Sequence, residues 1–329
     1  MLRFIVRRLA TMLGLLFGVS IITFLLFSAL PSDPAALTCG KNCTPEVIEQ
    51  NRIRLGYDKP VLEQYGVFVS GIFNGRTYGS GTATFDCEAP CLGYSFNKGE
   101  EVTTLIARAL PATAQLAAGA FVLWITLGLG IGIISALKRG KWQDRLGIGF
   151  TLVGTSMPAF FTGLLLIFTF VFWIPIFPAP RYVEFDRDPI FWFYNMTLPW
   201  LTLALLYSAI YARLARDGIL ETMNEDYVRT AKAKGLAPGV IVRKHVLRSA
   251  LTPIVTIAGI DLAGLLGGAI VTEAIFSIPG LGRLTFAAIS QSDLPVIAGT
   301  VILTAAFIII ANTVVDVIYA VLDPRVSVQ

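Results

Sequence analysis

The sequence predicts an all-α polytopic membrane protein with six transmembrane helices and a small extracytoplasmic domain after the first span. Of its 329 residues, 55% are hydrophobic and 15% are charged, whereas soluble domains carry about 25% charged residues. Apolar runs of about 20 residues cross a bilayer as helices, because their backbone hydrogen bonds must be satisfied within the segment. Six such runs are present, at residues 9–30, 112–137, 147–174, 196–215, 250–276 and 295–321.

The first apolar run is too long for the apolar region of a cleavable signal peptide, and no small-x-small cleavage site follows it. We therefore expect a retained span. The resulting organisation is a cytoplasmic N-terminus with the first helix (1–30), an extracytoplasmic domain (31–111) and a core of five further helices (112–329).

The distribution of basic residues predicts the orientation. With the N-terminus in the cytoplasm, 16 of the 26 Lys and Arg residues lie on the cytoplasmic side. Most of the others fall within 31–111, and so long a loop counts little in the positive-inside rule. Six spans then place both termini in the cytoplasm. The net charge of +4 follows from this topology and does not indicate a nucleic-acid partner.

The segment 31–111 is too long for a simple connection. Thr44-Pro45-Glu46 predicts the start of a helix and Gly56 its end, and PVLEQYGVFVSGIF predicts a second helix. All four cysteines lie in this segment. Thiols on the oxidising side of a membrane usually pair, so we expect two disulfides with open connectivity, and a metal site is the alternative. The four are Cys39, Cys43, Cys87 and Cys91.

Several kinds of catalytic site are absent from the sequence. It has no P-loop motif, no G-x-S-x-G elbow and only one histidine, His245, which excludes an H-E-x-x-H metal site. Polar groups within the spans are the remaining candidates, because a charge at the bilayer centre costs about 3 kcal/mol and normally faces a cavity or a partner. The alternatives are a hydrogen bond to another span or a position near the interface. These candidates for a path through the membrane are Asp261, Glu273, Asn312 and Asp316.

The most polar stretch of the core is RTAKAKGLAPGVIVRKHVLRSALTP, residues 229–253, in the cytoplasmic loop 216–250. It carries six Lys or Arg residues and no acid. The pattern predicts a short helix that ends at Gly235, a turn at Pro238-Gly239 and a second helix that continues into the next span. The positive-inside rule explains the sign of the charge, but it does not explain a helix–glycine–helix unit.

This stretch resembles the signature loop of permease subunits in binding-protein-dependent ABC importers, where a helix ending in A-x-x-x-G precedes a second helix and a proline. In the peptide-importer branch the pattern reads R-T-A-x-A-K-G-L and then R-H-x-L-R-x-A-L-x-P. Arg229 and Thr230 replace the first two residues of the general signature, and the Gly235–Pro253 gap of 18 residues exceeds its usual length. Four other stretches resemble the same branch, and 74–92 resembles an insertion. The four stretches that resemble this branch are MLRFIVRRL, LGYDKPVLEQY, IVTEAIFSIPGLGRL and NTVVDVIYAVLDPRV.

The resemblance implies the first permease subunit of a dipeptide or oligopeptide importer in a bacterial inner membrane, one half of a heterodimeric pore. A coupling helix would dock into one of the P-loop ATPase subunits, which would bind ATP and Mg. This chain would then carry no cofactor and no enzymatic activity. An outer binding protein would deliver the peptide to a mouth shaped by 31–111. The residues placed at the coupling helix are Arg229, Thr230, Ala231, Lys232, Ala233, Lys234, Gly235 and Leu236.

The sequence is also compatible with other functions. Relatives within the branch carry nickel, glutathione or sugars, although a single histidine with no Met or His cluster argues against nickel. A receptor, or an intramembrane protease that uses Asp261 and Glu273, would belong to a different class. Along one continuous helix a spacing of 12 residues separates these two carboxylates by about 18 Å, which is too far for them to share a water molecule.

Overall fold

The computed structural model describes residues 2–29, 35, 44–78 and 84–322, and within these ranges the chain is mainly helical. We number its α-helices in chain order. They are α1 (Leu2–Ala29), α2 (Pro45–Leu55), α3 (Val61–Asn74), α4 (Val102–Leu137), α5 (Trp142–Ser156), α6 (Ala159–Ile167), α7 (Pro189–Thr222), α8 (Asp226–Ala233), α9 (Pro238–Val240), α10 (Leu247–Leu266), α11 (Ile270–Ile275), α12 (Leu281–Ser290) and α13 (Leu294–Leu322).

The polytopic prediction is confirmed. Among the described residues, five helices are long and apolar enough to cross a membrane, and α5 with α6 makes a sixth span if the bent pair is counted as one. The helix of the second predicted span, α4, begins at Val102 rather than at residue 112 and continues through Pro111. The five helices long and apolar enough to cross a membrane are Val6–Leu26, Val102–Leu137, Pro189–Thr222, Pro238–Leu266 and Leu294–Val315.

The third predicted span, 147–174, is not one straight helix. Its two halves meet at an angle of 103°, where Met157 adopts an extended conformation (φ −92°, ψ 121°). Pro158 explains the break, because proline lacks the backbone N–H and disfavours the helical conformation of the residue before it. A π-helical segment, Phe168–Trp173, continues from α6.

The fifth predicted span, 250–276, is wrong in extent. Its helix ends at Leu266, and α11 starts after a break that contains Gly267 and Gly268. Gly268 has a φ of +119°, and a Cβ there would lie 2.4 Å from the backbone nitrogen of Gly282. The chain needs glycine at this position because only glycine combines that backbone conformation with so close an approach.

The described helices and strands belong to two compact units. The first comprises Met1–Thr113, Leu266–Ile270 and Pro279–Gln329, and the second comprises Ala114–Leu265 and Val271–Ile278.

In the first unit, α1 packs along α13, and the first turns of α4 pack against α12 and α13. The apolar core there centres on Val102, Ile106, Leu281 and Val296, each at most 5% exposed.

The described residues between 44 and 101 of the first unit contain the two predicted helices. The Thr44 side chain accepts a hydrogen bond from the backbone of Val47, and Gly56 ends α2 with a φ of +73°. Two short antiparallel hairpins follow, β1 (Arg76–Tyr78) with β2 (Phe85–Cys87), and β3 (Tyr94–Ser95) with β4 (Glu100–Glu101).

One of the expected disulfides is present in the same segment. Cys87 and Cys91 are bonded, and both are 2% exposed. The pair packs with Tyr78 and Tyr94 in a small buried cluster. Cys39 and Cys43 lie outside the described residues.

In the second unit, α4 and α5 approach α7 through glycines. A Cβ on Gly119 would lie 2.1 Å from the Trp200 ring, and one on Gly132 would lie 2.6 Å from the Ala212 carbonyl oxygen. Small residues at helix contacts are typical of membrane proteins, where close backbone approach replaces the hydrophobic effect as the source of association.

We expect Gly132→Val to destabilise the second unit by about 1–3 kcal/mol, because the added methyl groups overpack the contact between α4 and α7. Gly130→Val is the matched control, since a Cβ at Gly130 meets nothing within 4 Å. Thermal unfolding of the two variants in detergent measures the difference. Equal midpoints would contradict the packing described here.

Candidate functional site

The short helix α8 overlaps the start of the basic stretch 229–253. Asp226 is in its first turn and Lys232 in its last, which places each charge favourably with respect to the helix dipole. Arg229 forms an ion pair with Asp226 at 3.6 Å, with side chains 69% and 98% exposed. Exposed pairs of this kind contribute little stability, so packing must fix the position of α8.

A Schellman motif ends α8. The backbone N–H of Leu236 donates to the Ala231 carbonyl at 3.3 Å, and that of Gly235 donates to the Lys232 carbonyl at 3.0 Å. Gly235 has a φ of +77°, which glycine adopts at low cost. The helix end predicted at this glycine is therefore present, and it defines both the length and the exit direction of α8.

One face of α8 is buried against the rest of the second unit. Val228 is 0% exposed and Ala231 is 6% exposed, and both belong to a core cluster with residues of α4, α7 and the segment that follows α8. Ile219 of α7 and Val246 are fully buried members of the same cluster. The helix is thus packed against the ends of α4, α7 and α10.

Seven of the eight residues predicted for the coupling helix lie at the surface. Only Ala231 among the eight is buried, so it packs in the core cluster and is not part of the exposed face. An apolar groove of about 310 Å³ runs beside the helix, between Leu236 and Val242. The seven exposed residues are Arg229, Thr230, Lys232, Ala233, Lys234, Gly235 and Leu236.

The predicted second helix begins at Pro238 and is continuous to Leu266. Its residues Ile241–Val246 are π-helical, and Ile241 and Val246 point into the buried cluster. A π-helical segment shifts the register of the side chains that follow it. Here the segment carries Arg243 and Lys244 at the surface while its apolar residues stay buried.

A buried ion pair holds the turn between α4 and α5 to α7. Arg216 donates from Nε to Asp144 Oδ1 at 2.8 Å and from Nη2 to Oδ2 at 3.2 Å. Ser135 Oγ donates to Oδ1 at 2.5 Å, and the Gly140 N–H donates to Oδ2 at 2.9 Å. The two side chains are 4% and 20% exposed. This two-point contact fixes α7 six residues before its end at Thr222, close in sequence to α8.

Sequence reasoning did not single out this pair. Asp144 is the one acid in the basic turn KRGKWQDR, and an acid among bases in a short turn between two apolar runs is a signal that could have drawn attention to it. Its partner is 72 residues away in the chain, and no local pattern indicates which arginine it binds.

Of the polar residues predicted within the spans, Asp261 has the clearest environment. It lies on α10, is partly exposed, and accepts a hydrogen bond from the Tyr211 hydroxyl of α7 at 2.7 Å. Next to it, Trp124 stacks on Tyr207 with ring centroids 4.6 Å apart. A bond to another span, one of the two alternatives for Asp261, is therefore observed, and the carboxylate also keeps an exposed side.

The other three candidates lie on α11 and α13 rather than on α10 with Asp261. Glu273 lies on α11 and is 0% exposed, so it is not on the same helix as Asp261 and the estimate of 18 Å along one helix does not apply. Asn312 is exposed on α13. The backbone of Asp316 lies in α13, and its side chain lies outside the described residues. No group of three or more His, Cys, Asp or Glu residues that could hold a metal occurs in the described part of the chain.

The chain matches a known family along most of its length. The family described as binding-protein-dependent transport system inner membrane component matches residues 128–328. The N-terminal region of the binding-protein-dependent transport system membrane component matches residues 1–117.

Individual relatives are similar from end to end. A Brucella abortus (strain 2308) protein named as a peptide transport system permease is 36% identical over 322 residues, 98% of each chain. A di/tripeptide transport system permease protein of Pseudomonas aeruginosa (strain UCBPP-PA14) is 35% identical over 351 aligned positions, 100% of each chain. A glutathione transport system permease protein of Escherichia coli O6:H1 is 35% identical over 329 positions, 99% of each chain.

The fold is also found among solved structures. The crystal structure of an amino acid ABC transporter with histidines matches with a TM-score of 0.50 at 19% identity, over 68% of this chain and 94% of that chain. At this level of identity the match shows a shared fold and nothing about the substrate.

Proposed function

Because the chain belongs to the binding-protein-dependent transport system inner membrane components, we propose that it is a permease subunit of an ATP-binding-cassette importer for di- or oligopeptides. The observation that carries the proposal is the helix–glycine–helix unit, in which α8 ends at Gly235 and the next helix begins at Pro238, packed on the ends of long apolar helices. Relatives named for peptides, di/tripeptides and glutathione support a short peptide as the substrate.

In this proposal, α8 is the coupling helix. Its exposed face and the adjacent groove would contact a P-loop ATPase subunit, which binds ATP and Mg and performs the hydrolysis. Val228 and Ala231, buried on the opposite face, support this assignment, because a helix attached to α7 and α10 moves with them as a rigid body. Closure of two ATPase subunits would then switch the pore between inward and outward access.

The complete importer would contain further proteins. A second permease would form the other half of the pore, and an extracytoplasmic binding protein would deliver the peptide to the outer domain. Both termini would lie in the cytoplasm, as the distribution of Lys and Arg predicts. Residues 74–92 then lie outside, where they could contact the binding protein.

The proposed path across the membrane includes the polar residues of the spans. Asp261 supports this assignment, because it keeps an exposed side while Tyr211 fixes its orientation. A carboxylate placed in this way would attract the α-ammonium group of a peptide. Glu273, Asn312 and Asp316 are the other candidates for the path.

The substrate assignment is tested by uptake into proteoliposomes that contain the whole importer, its binding protein and internal ATP. We expect ATP-dependent accumulation of a labelled dipeptide, competed by excess unlabelled di- and tripeptides but not by nickel. Competition by glutathione as strong as that by dipeptides would shift the assignment to glutathione. Accumulation of nickel without accumulation of any peptide would contradict the peptide proposal.

A further inference from the structure

The segment between residues 44 and 101 lines an open cavity of about 340 Å³ together with α1 and α13. Its walls come from the segment between α2 and α3, from α3 itself and from the two hairpins, and its floor comes from α1 and α13. Cavities of about 300–1,000 Å³ are typical of small-molecule sites. The coupling surface and the carboxylates of the spans do not involve these residues, so the cavity is separate from the site described above.

One end of the cavity is cationic. Lys59 and Arg76 line it, and among the described lining residues there is no carboxylate. The Arg76 guanidinium lies 4.2 Å from the centre of the Tyr78 ring, a cation–π contact that holds it at the wall. Lys59 pairs with Glu63 at 2.7 Å on the exposed side, and an ammonium group keeps further donors for a ligand. Glu63 offsets the Lys59 charge without lining the cavity, so the Arg76 guanidinium and the remaining Lys59 donors are the groups at this end that suit an anion.

Phenol groups add neutral donors at the same end. Burial raises the pKa of Tyr57 to about 12 and also raises the pKa of Tyr78. Both hydroxyls therefore keep their protons at neutral pH and can donate hydrogen bonds to a phosphate or carboxylate oxygen.

The floor of the cavity is apolar and belongs to membrane-spanning helices. Phe24 comes from α1, and Pro295, Ala298 and Ile302 lie on one face of α13. The rest of the protein buries few residues of these two helices: 6% of the apolar stretch of α1 and 17% of that of α13. They therefore expose apolar surface from which an acyl chain can reach the floor of the cavity when the chain lies in a bilayer.

We propose that this cavity binds an anionic phospholipid of the outer leaflet, with its phosphate at Lys59 and Arg76 and part of an acyl chain against Phe24, Ala298 and Ile302. A cationic end joined to an apolar floor at the outer ends of two spans fits an amphiphile, whereas free phosphate would leave the floor empty. The bound lipid would attach the outer domain to α1 and α13. The outer-leaflet source depends on the proposed topology, but the binding itself does not depend on transport.

The test uses the full-length importer in nanodiscs of phosphatidylcholine with graded phosphatidylglycerol, followed by native mass spectrometry of the lipid retained on this chain. We expect one phosphatidylglycerol to be retained in preference to phosphatidylcholine. Arg76→Gln and the cavity-filling variant Ala298→Phe should each weaken its retention about tenfold, equivalent to about 1.4 kcal/mol. Arg108→Gln is the matched control, because Arg108 is 67% exposed, pairs with Glu100 and does not line the cavity.

Three results would overturn the proposal. Equal retention of the two lipids by the unchanged chain would show no headgroup selection, and this measurement needs no variant to fold. An equal loss in Arg108→Gln would show a diffuse charge effect. Displacement by inorganic phosphate, with Ala298→Phe behaving as the unchanged chain, would show an anion site without a lipid. Gel filtration of each variant with its partner subunits confirms that the protein compared is folded.

Discussion

Replacing Asp144 by alanine is expected to destabilise the second unit by about 3 kcal/mol, because it removes the buried carboxylate that bonds the largely buried Arg216 and two further donors. The change removes both bonds from Arg216, whose side chain is 20% exposed, and strands the Ser135 hydroxyl and the Gly140 N–H. The turn between α4 and α5 then loses its polar attachment to α7. We expect a much lower thermal midpoint in detergent and a smaller yield of folded protein by gel filtration.

Asp217→Ala is the matched control for this prediction. Asp217 also contacts Arg216, at 3.3 Å, but its side chain is 59% exposed. Removing an exposed partner of this kind is expected to cost about 0–1 kcal/mol. If Asp144→Ala and Asp217→Ala unfold at the same temperature, the buried ion pair does not hold these helices together.

Gly235→Val is expected to reduce ATP-dependent uptake about tenfold while ATP hydrolysis continues. Gly235 has a φ of +77°, and a non-glycine residue in the left-handed region costs about 1–2 kcal/mol, which is about tenfold in an equilibrium constant. The valine therefore favours other ends for α8, and the helix loses the defined exit that the Schellman motif provides. Parallel assays of peptide uptake and ATP hydrolysis in proteoliposomes measure the two activities.

Gly239→Val controls for the loss of a glycine from the same loop. A Cβ at Gly239 meets nothing within 4 Å, and its backbone is not in the left-handed region, so we expect uptake close to that of the unchanged importer. Normal uptake by Gly235→Val would show that α8 does not need its defined end, and the assignment of α8 as the coupling helix would then be wrong.

The features predicted correctly from the sequence are local ones. The end of α8 depends on residues within one turn of Gly235, and the start of α2 depends on Thr44 and Pro45. Such signals lie within a few residues of the feature that they specify. The presence of several spans was predictable for a similar reason, because each needs only one long apolar run.

The features that were missed depend on contacts between distant residues or on breaks inside apolar runs. The Asp144–Arg216 pair joins residues 72 positions apart. The spans at 147–174 and 250–276 were predicted as continuous because hydropathy hardly distinguishes an apolar helix from one broken by Pro158 or by Gly267-Gly268. Those residues are the local evidence for a break, and their effect is clear once backbone conformation is considered together with hydropathy.

Purification of the tagged full-length chain from its own membranes in mild detergent, with identification of the proteins that accompany it, tests the proposed function most directly. We predict a second multi-span permease and one or two P-loop ATPases in the same complex, with the ATPases lost when the exposed face of α8 is altered by Lys232→Glu and Leu236→Asp. A chain that purifies without any ATPase from membranes that support peptide uptake would contradict the proposal that α8 couples this permease to ATP hydrolysis.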